Sequence, residues 1–113
     1  MTRCVFCRIA AGAAPASIVY RDDEVVAFHD ITPQAPTHIL IIPIRHITST
    51  AELADGDREL VGRLIWTATR IADQVELSAG YRLVINTGQQ GGQAVDHLHV
   101  HLLGGRPMRW PPG

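Results

Sequence analysis

Residues 97–103 read His-Leu-His-Val-His-Leu-Leu. In an extended strand alternate side chains share a face, so His97, His99 and His101 stand in a row, about 7 Å apart at each step. Leu98, Val100 and Leu102 then turn the other way, into a core. Three imidazoles on one face are a poor packing solution, because apolar side chains fill such space at lower cost and every buried ring nitrogen needs a partner. Two chemistries use such a row. His-x-His pairs on strands ligate metals, and imidazole is a nucleophile near neutral pH because much of it is unprotonated. The segment just before, residues 87–96, carries Gly88, Gly91 and Gly92. Glycines let backbone N–H groups turn toward one point and form an anion nest. An anion site that leads directly into a histidine row favours nucleophilic attack at phosphorus.

A second constellation is Cys4 and Cys7, the only cysteines. In a reducing compartment this spacing reads as a metal half-site or a redox motif rather than a structural disulfide. A thioredoxin-like role needs the pair after a strand in a βαβ unit. Here it stands near the N-terminus, which favours the metal reading.

The elements that must position these residues follow from pattern. Residues 4–11 read as a short helix ending at Gly12. Residues 17–21 and 25–29 read as two strands, with Asp22-Asp23 between them as the turn of a hairpin. Pro33 and Pro36 hold residues 32–36 extended, as a loop. Residues 38–43 are an Ile/Leu run, the pattern of a strand buried on both faces. A long helix is expected over residues 57–77, where Leu60, Val61, Leu64, Ile65, Ala68, Ile71, Ala72 and Val75 form one apolar stripe. Asp55 or Asp57 caps its start, and Gly80 lies past its end. Residues 81–86 and 97–103 complete the set. The expected fold is α+β: a five-stranded antiparallel sheet, one long helix and a short N-terminal helix, in a single domain over residues 1–113.

With 113 residues and a net charge of −1 the chain suits one domain with a modest core. The near-neutral charge argues against nucleic acid as the main partner, since backbone phosphates call for a basic excess. No apolar run approaches the roughly 20 residues of a membrane span. No apolar signal region follows Met1-Thr2-Arg3-Cys4, so the expected location is cytoplasmic. Trp66, off the centre of the helical stripe, and Trp110, in a Pro-rich tail, suit an interface. With the short protomer they predict a homodimer.

The triad resembles the His-φ-His-φ-His-φ-φ pattern of the histidine triad (HIT) family. Phe28-His29-Asp30-Ile31, Pro33-Gln34-Ala35-Pro36-Thr37-His38, Asn86, Gly91-Gly92-Gln93 and the ending Gly104-Gly105-Arg106 with Trp110-Pro111-Pro112-Gly113 resemble its Hint branch. The resemblance covers nearly the whole chain. It implies a purine nucleoside phosphoramidase that cleaves the P–N bond of adenosine or guanosine 5′-phosphoramidates through a covalent nucleotidyl-histidine. His99 would be the nucleophile, with a backbone carbonyl accepting from its Nδ1. His101 and His38 would organise the phosphate and the proton traffic. Asn86, Gly92, Gln93 and the loop backbone would hold phosphate oxygens, with Ala94 beside them, and Asp30 would accept from the ribose hydroxyls. Phe6, Ile9, Phe28 and Ile31 would wall the base. His29 reads as structural or surface. The resemblance also implies a structural zinc on Cys4, Cys7, His46 and His97, a closed site with no open position for chemistry. It implies a dimer with each tail near the partner's active site.

Two departures stand out. Many Hint members have a serine where this chain has Ala94, which leaves the leaving-group proton less accounted for. Asp96 is an unusual neighbour for the triad and bears on local pKa values. Two other functions compete with the enzyme: a purine-nucleotide-binding module with negligible turnover, and a metal-dependent hydrolase with the three histidines as ligands.

Overall fold

A computed structural model describes residues 2–113; Met1 of the expected domain lies outside the described residues. The elements run α1 (Val5–Ala10), β1 (Ile18–Arg21), β2 (Val25–His29), β3 (Thr37–Pro43), α2 (Arg58–Gln74), β4 (Tyr81–Val84) and β5 (Val100–Gly104), with 3-10 turns at Thr50–Glu52 and Asp55–Asp57. The strands form one antiparallel sheet in the order β1-β2-β3-β5-β4.

The expected hairpin is present. The Asp22 carboxylate accepts from the Glu24 and Val25 amides, 2.8 Å each, and so closes the turn between β1 and β2. The sheet is covered on both sides, and strand alternation decides which residue goes where. Val25, Ala27, Ile39, Ile41, Leu98, Val100 and Leu102 pack against Leu60, Leu64, Ala68, Ile71 and Ala72 of α2. Val26, Phe28, Leu40 and Ile42 pack against Phe6, Ile9 and Ala10 of α1. Each fully buried Leu or Ile contributes about 1.5–3 kcal/mol, and the larger α2 layer carries more of them. With Leu98, Val100 and Leu102 turned to α2, the intervening histidines must face the α1 side. His38, in step with Leu40 and Ile42 on β3, faces that side too.

Several boundaries differ from expectation, most of all in α2 and the last two strands. Helix α2 spans Arg58–Gln74 rather than 57–77. Asp57 stands at its N-cap, but the carboxylate turns back to the Ala54 amide (2.8 Å) and pairs with Arg45, so it braces the preceding turn. At the other end Glu76 takes a left-handed φ of 62°, and the Leu77 amide reaches the Ala72 carbonyl at 2.9 Å. That closure folds Leu77 back onto Gly104, where a Cβ would sit 2.6 Å from a Leu77 methyl. The last strands are shorter than read. Strand β4 ends at Val84, opposite His101, and β5 begins only at Val100. His97 lies in a bend, because the Leu98 amide leaves the sheet to reach the Ile47 carbonyl at 2.7 Å.

Among the described residues no helix is long and apolar enough to cross a membrane.

Candidate functional site

His97 is fully buried. Its Nε2 lies 2.8 Å from the Pro43 carbonyl oxygen, which can only accept, so Nε2 carries the hydrogen. Burial lowers its pKa, so the ring is neutral at pH 7 and Nδ1 presents a lone pair. That lone pair faces Cys4 Sγ at 3.3 Å, Cys7 Sγ at 3.4 Å and His46 Nδ1 at 3.2 Å. Cys7 Sγ is 3.3 Å from His46 Nδ1.

His99 is also buried, at 4% exposure. Its Nδ1 donates to the His97 carbonyl at 2.7 Å. In the neutral ring Nε2 is therefore the free lone pair. The ring stands edge-on to Phe6, with centroids 5.2 Å apart and planes at 88°, and beside His101 at 4.9 Å.

His38 and His101 form a relay with assignable hydrogens. The Gln34 amide donates to His38 Nδ1 at 3.0 Å, so the hydrogen of the neutral ring is on Nε2. That nitrogen is 2.9 Å from His101 Nδ1 and 3.3 Å from Asp30 Oδ2. Donation to His101 leaves the hydrogen of His101 on Nε2. Burial lowers His38 despite the Asp30 carboxylate. Burial, with His99 and His38 adding to it, drives His101 down to about 4. The relay is thus neutral at pH 7 and presents a donor at His101 Nε2 next to the free lone pair of His99. Asp30 Oδ1 accepts from the Thr32 amide at 2.8 Å, which fixes the carboxylate.

The glycine loop does not open as an anion nest at its glycines. The Gly88 amide donates to Gln93 Oε1 at 2.9 Å, and the Gly92 amide to the Gln89 carbonyl at 3.1 Å. Gln93 Nε2 donates to the carbonyls of Thr48 (2.7 Å) and Val95 (2.9 Å). Both of its hydrogens are occupied, so Gln93 shapes the loop from within. Gly91 is required sterically, since a Cβ there would lie 2.3 Å from the Thr87 carbonyl oxygen. Asn86 is half-buried just past β4, and Ala94, Asp96 and His29 are exposed. Phe6, Ile9 and Phe28 belong to the apolar layer under α1, whereas Ile31 is 96% exposed.

The three triad histidines do not converge on one metal position. His97 joins Cys4, Cys7 and His46, while His101 joins Asp30 and His38. His99 donates to a carbonyl and belongs to neither group. The Cys2His2 group passes the test for a tetrahedral metal. Its Nδ1 lone pair is set by a backbone carbonyl on the far nitrogen, the usual outer partner of a ligating histidine. The donor separations of 3.2–3.4 Å match the edges of roughly 3.3–3.8 Å for a zinc with Zn–N near 2.0 and Zn–S near 2.3 Å. Burial, with Cys4 adjacent, pushes the Cys7 thiol up to about 11, a penalty that a cation would relieve. The Asp30–His38–His101 group fails the same test. The Gln34 amide points at His38 Nδ1, so the nitrogen facing the group bears a hydrogen.

Sequence reading missed the Pro43 carbonyl and the Gln34 amide that fix two of these tautomers, whereas the backbone carbonyl expected at His99 Nδ1 is present and is that of His97. Every residue supplies such groups, so only the fold selects them. It also missed the edge-on contact of Phe6 with His99.

A family model described as "HIT domain" matches residues 11–108. The chain is 49% identical to a 14 kDa zinc-binding protein of Brassica juncea, covering 96% of this chain and 98% of that one. It is 48% identical to the adenylylsulfatase HINT1 of Arabidopsis thaliana, over 96% of this chain and 76% of that one. A crystal structure of a HIT family hydrolase from Legionella pneumophila superposes with a TM-score of 0.97 at 50% identity, over 98% of this chain and all of that one.

Proposed function

The chain belongs to the HIT domain family as a Hint-like member, and from that premise we propose that it hydrolyses purine nucleoside 5′-phosphoramidates through a nucleotidyl-histidine at His99. The observation that carries this reading is the pairing of hydrogens. His99 Nδ1 is tied to the His97 carbonyl, which leaves Nε2 to attack, and His101 Nε2 offers a donor beside it. Nε2 of His99 forms a bond to the α-phosphorus as the P–N bond breaks. The leaving nitrogen takes a proton from solvent and departs as the amine, while the neutral His101 ring donates a hydrogen bond from Nε2 to the phosphate. Water then cleaves the N–P bond and releases the nucleoside monophosphate.

In this reading Asn86 and the backbone near Ala94 meet the phosphate oxygens, and Gly92 and Gln93 hold the loop in shape. Asp30 accepts from the ribose. Ile31 and the outer surfaces of Ile9 and Phe28 take the base. Cys4, Cys7, His46 and His97 hold zinc in a closed site whose contribution is structural; a cytoplasmic setting keeps the thiols reduced. Trp66 and Trp110, 63% and 82% exposed, become interface residues of a two-fold dimer.

The test is to mix the protein with an adenosine 5′-phosphoramidate, quench in base and map the adduct. A nucleotidyl mass on His99 is expected, and His99→Ala should lose about 10³-fold or more in turnover. Near wild-type turnover by that variant refutes the mechanism. A second leaving group has support of its own. The Arabidopsis relative is named an adenylylsulfatase, and sulfate departs as an anion that needs no proton. With Ala94 lacking a hydroxyl, that lower demand suits the site. Comparing kcat/KM on adenylyl sulfate and on the phosphoramidate ranks the two.

A further inference from the structure

The metal cluster and the nucleophile share one short element. Helix α1 has six residues, far below the roughly 12–15 at which a helix persists alone, so its position depends on what holds it. One end is held by Ile9 and Ala10 in the core, with Arg21 donating to the Ala10 carbonyl at 2.8 Å. At the other end Cys4 and Cys7 sit within 3.3–3.4 Å of His46 and His97. Between the two cysteines stands Phe6. Its ring meets His99 at 5.2 Å and 88°, His97 at 6.0 Å and 71°, and Phe28 at 5.4 Å and 72°. These are the edge-to-face arrangements that aromatic rings prefer.

The His99 hydrogen bond holds the ring through one nitrogen, and the edge-on Phe6 braces its plane. A ring turned about its Cβ–Cγ bond would put carbon against the His97 carbonyl and swing Nε2 off its line of attack. The carbonyl itself is steadied because His97 is held by its side chain, through Pro43 on one nitrogen and the Cys/His group on the other.

We propose that α1 is a positioning element for the nucleophile: Phe6 sets the plane of the His99 ring, and the Cys4–Cys7–His46–His97 cluster holds Phe6 and the His97 carbonyl in place. This rests on His99 being the nucleophile, and it gives Phe6 a role different from a wall for the base. A wall acts on nucleotide affinity. A positioning residue acts on the rate of transfer at unchanged affinity.

The experiment uses the protein as purified, with its metal content measured, and the variants Phe6→Leu, Cys7→Ser and the double. Three quantities are read: the single-turnover rate of His99 nucleotidylation, the Kd for AMP, and the 15N imidazole shifts of His99 at fixed pH without nucleotide. Phe6→Leu nearly conserves core volume, so the fold is retained. Each single variant should slow transfer by about tenfold, as small misplacements of reacting groups do, with Kd within about twofold. The 15N shifts should move away from a pure Nδ1–H tautomer. The double variant should be no slower than the worse single, because both act through α1. A raised Kd with unchanged transfer in Phe6→Leu overturns the proposal and leaves Phe6 a base wall. Unchanged 15N shifts overturn it as well, as do multiplicative effects in the double. Wild-type protein that never forms the adduct refutes the proposed function instead, and the nucleotide-free 15N measurement still decides whether α1 sets the His99 ring.

Discussion

Acid should loosen this protein before most of its carboxylates titrate, because the fold holds His38, His97 and His101 neutral. Burial, reinforced by His99 and His38, moves His101 from 6.5 to about 4. Between those values the unfolded chain binds a proton at this position and the folded chain does not. Stability therefore falls as the pH falls through that window, and the loss is complete below pH 4. A gap of this size bounds the loss at about 3 kcal/mol. The ring keeps some solvent contact, so about 1–2 kcal/mol is the realistic share. His38 and His97 are lowered as well and act with the same sign. Urea unfolding from pH 7 to pH 4.5 measures the sum, and His101→Gln isolates the part due to His101. Glutamine can accept from His38 and still donate, but it does not titrate. The wild type should lose about 1–2 kcal/mol more than the variant over this range. Any contribution from thiolates and their metal is common to both proteins and cancels. Parallel curves would refute the account of His101 as a ring kept neutral by burial.

Cys4→Ser should reduce zinc from about one per chain to none by elemental analysis, with a lower Tm. Metal-free wild type that was never chelated would reject the site. Gly91→Ala puts a Cβ 2.3 Å from the Thr87 carbonyl oxygen, so the loop must open; turnover should drop by about tenfold or more, with little change in Tm, and unchanged turnover would remove the loop from the chemistry. Light scattering at micromolar concentration should give a dimer, and deleting residues 110–113 should alter the ratio of rates between leaving groups. A monomer, or an unchanged ratio, counts against the interface role of the two tryptophans.

The stripe of α2 and the two-sided burial of β3 were legible because periodicity reports which side is dry. Leu60, Leu64, Ala68, Ile71 and Ala72 are buried as the pattern requires, while Val61 and Ile65 at the stripe's edge are half-buried and Val75 is 37% exposed. The start of β5 was not legible. His97 and Leu98 continue the alternation, yet the Leu98 amide turns to the Ile47 carbonyl and β4 stops at Val84. Gln93 was misjudged for a related reason. An amide in a glycine loop suits a phosphate and a loop carbonyl equally in sequence, and only the nearness of Thr48 and Val95 decides. The Cys/His set came from family resemblance; residues 4, 7, 46 and 97 meet only because α1 packs on the face of the sheet opposite α2.

Alternation alone makes His97, His99 and His101 equivalent, and the fold then makes them different through one hydrogen bond each. His97 donates from Nε2 to Pro43 and turns a lone pair to the cysteines. His99 donates from Nδ1 to a carbonyl and keeps Nε2 for attack. His101 accepts at Nδ1 from His38 and keeps Nε2 as a donor. Electrophile, metal and leaving group demand different hydrogen placements from identical rings, and three different partners meet that demand. His97 is the coupling point, since its side chain belongs to the metal group while its carbonyl fixes the nucleophile. A substitution there cannot be read as a loss of metal or a loss of catalysis alone, whereas one at His101 touches the relay and leaves the Cys/His group intact.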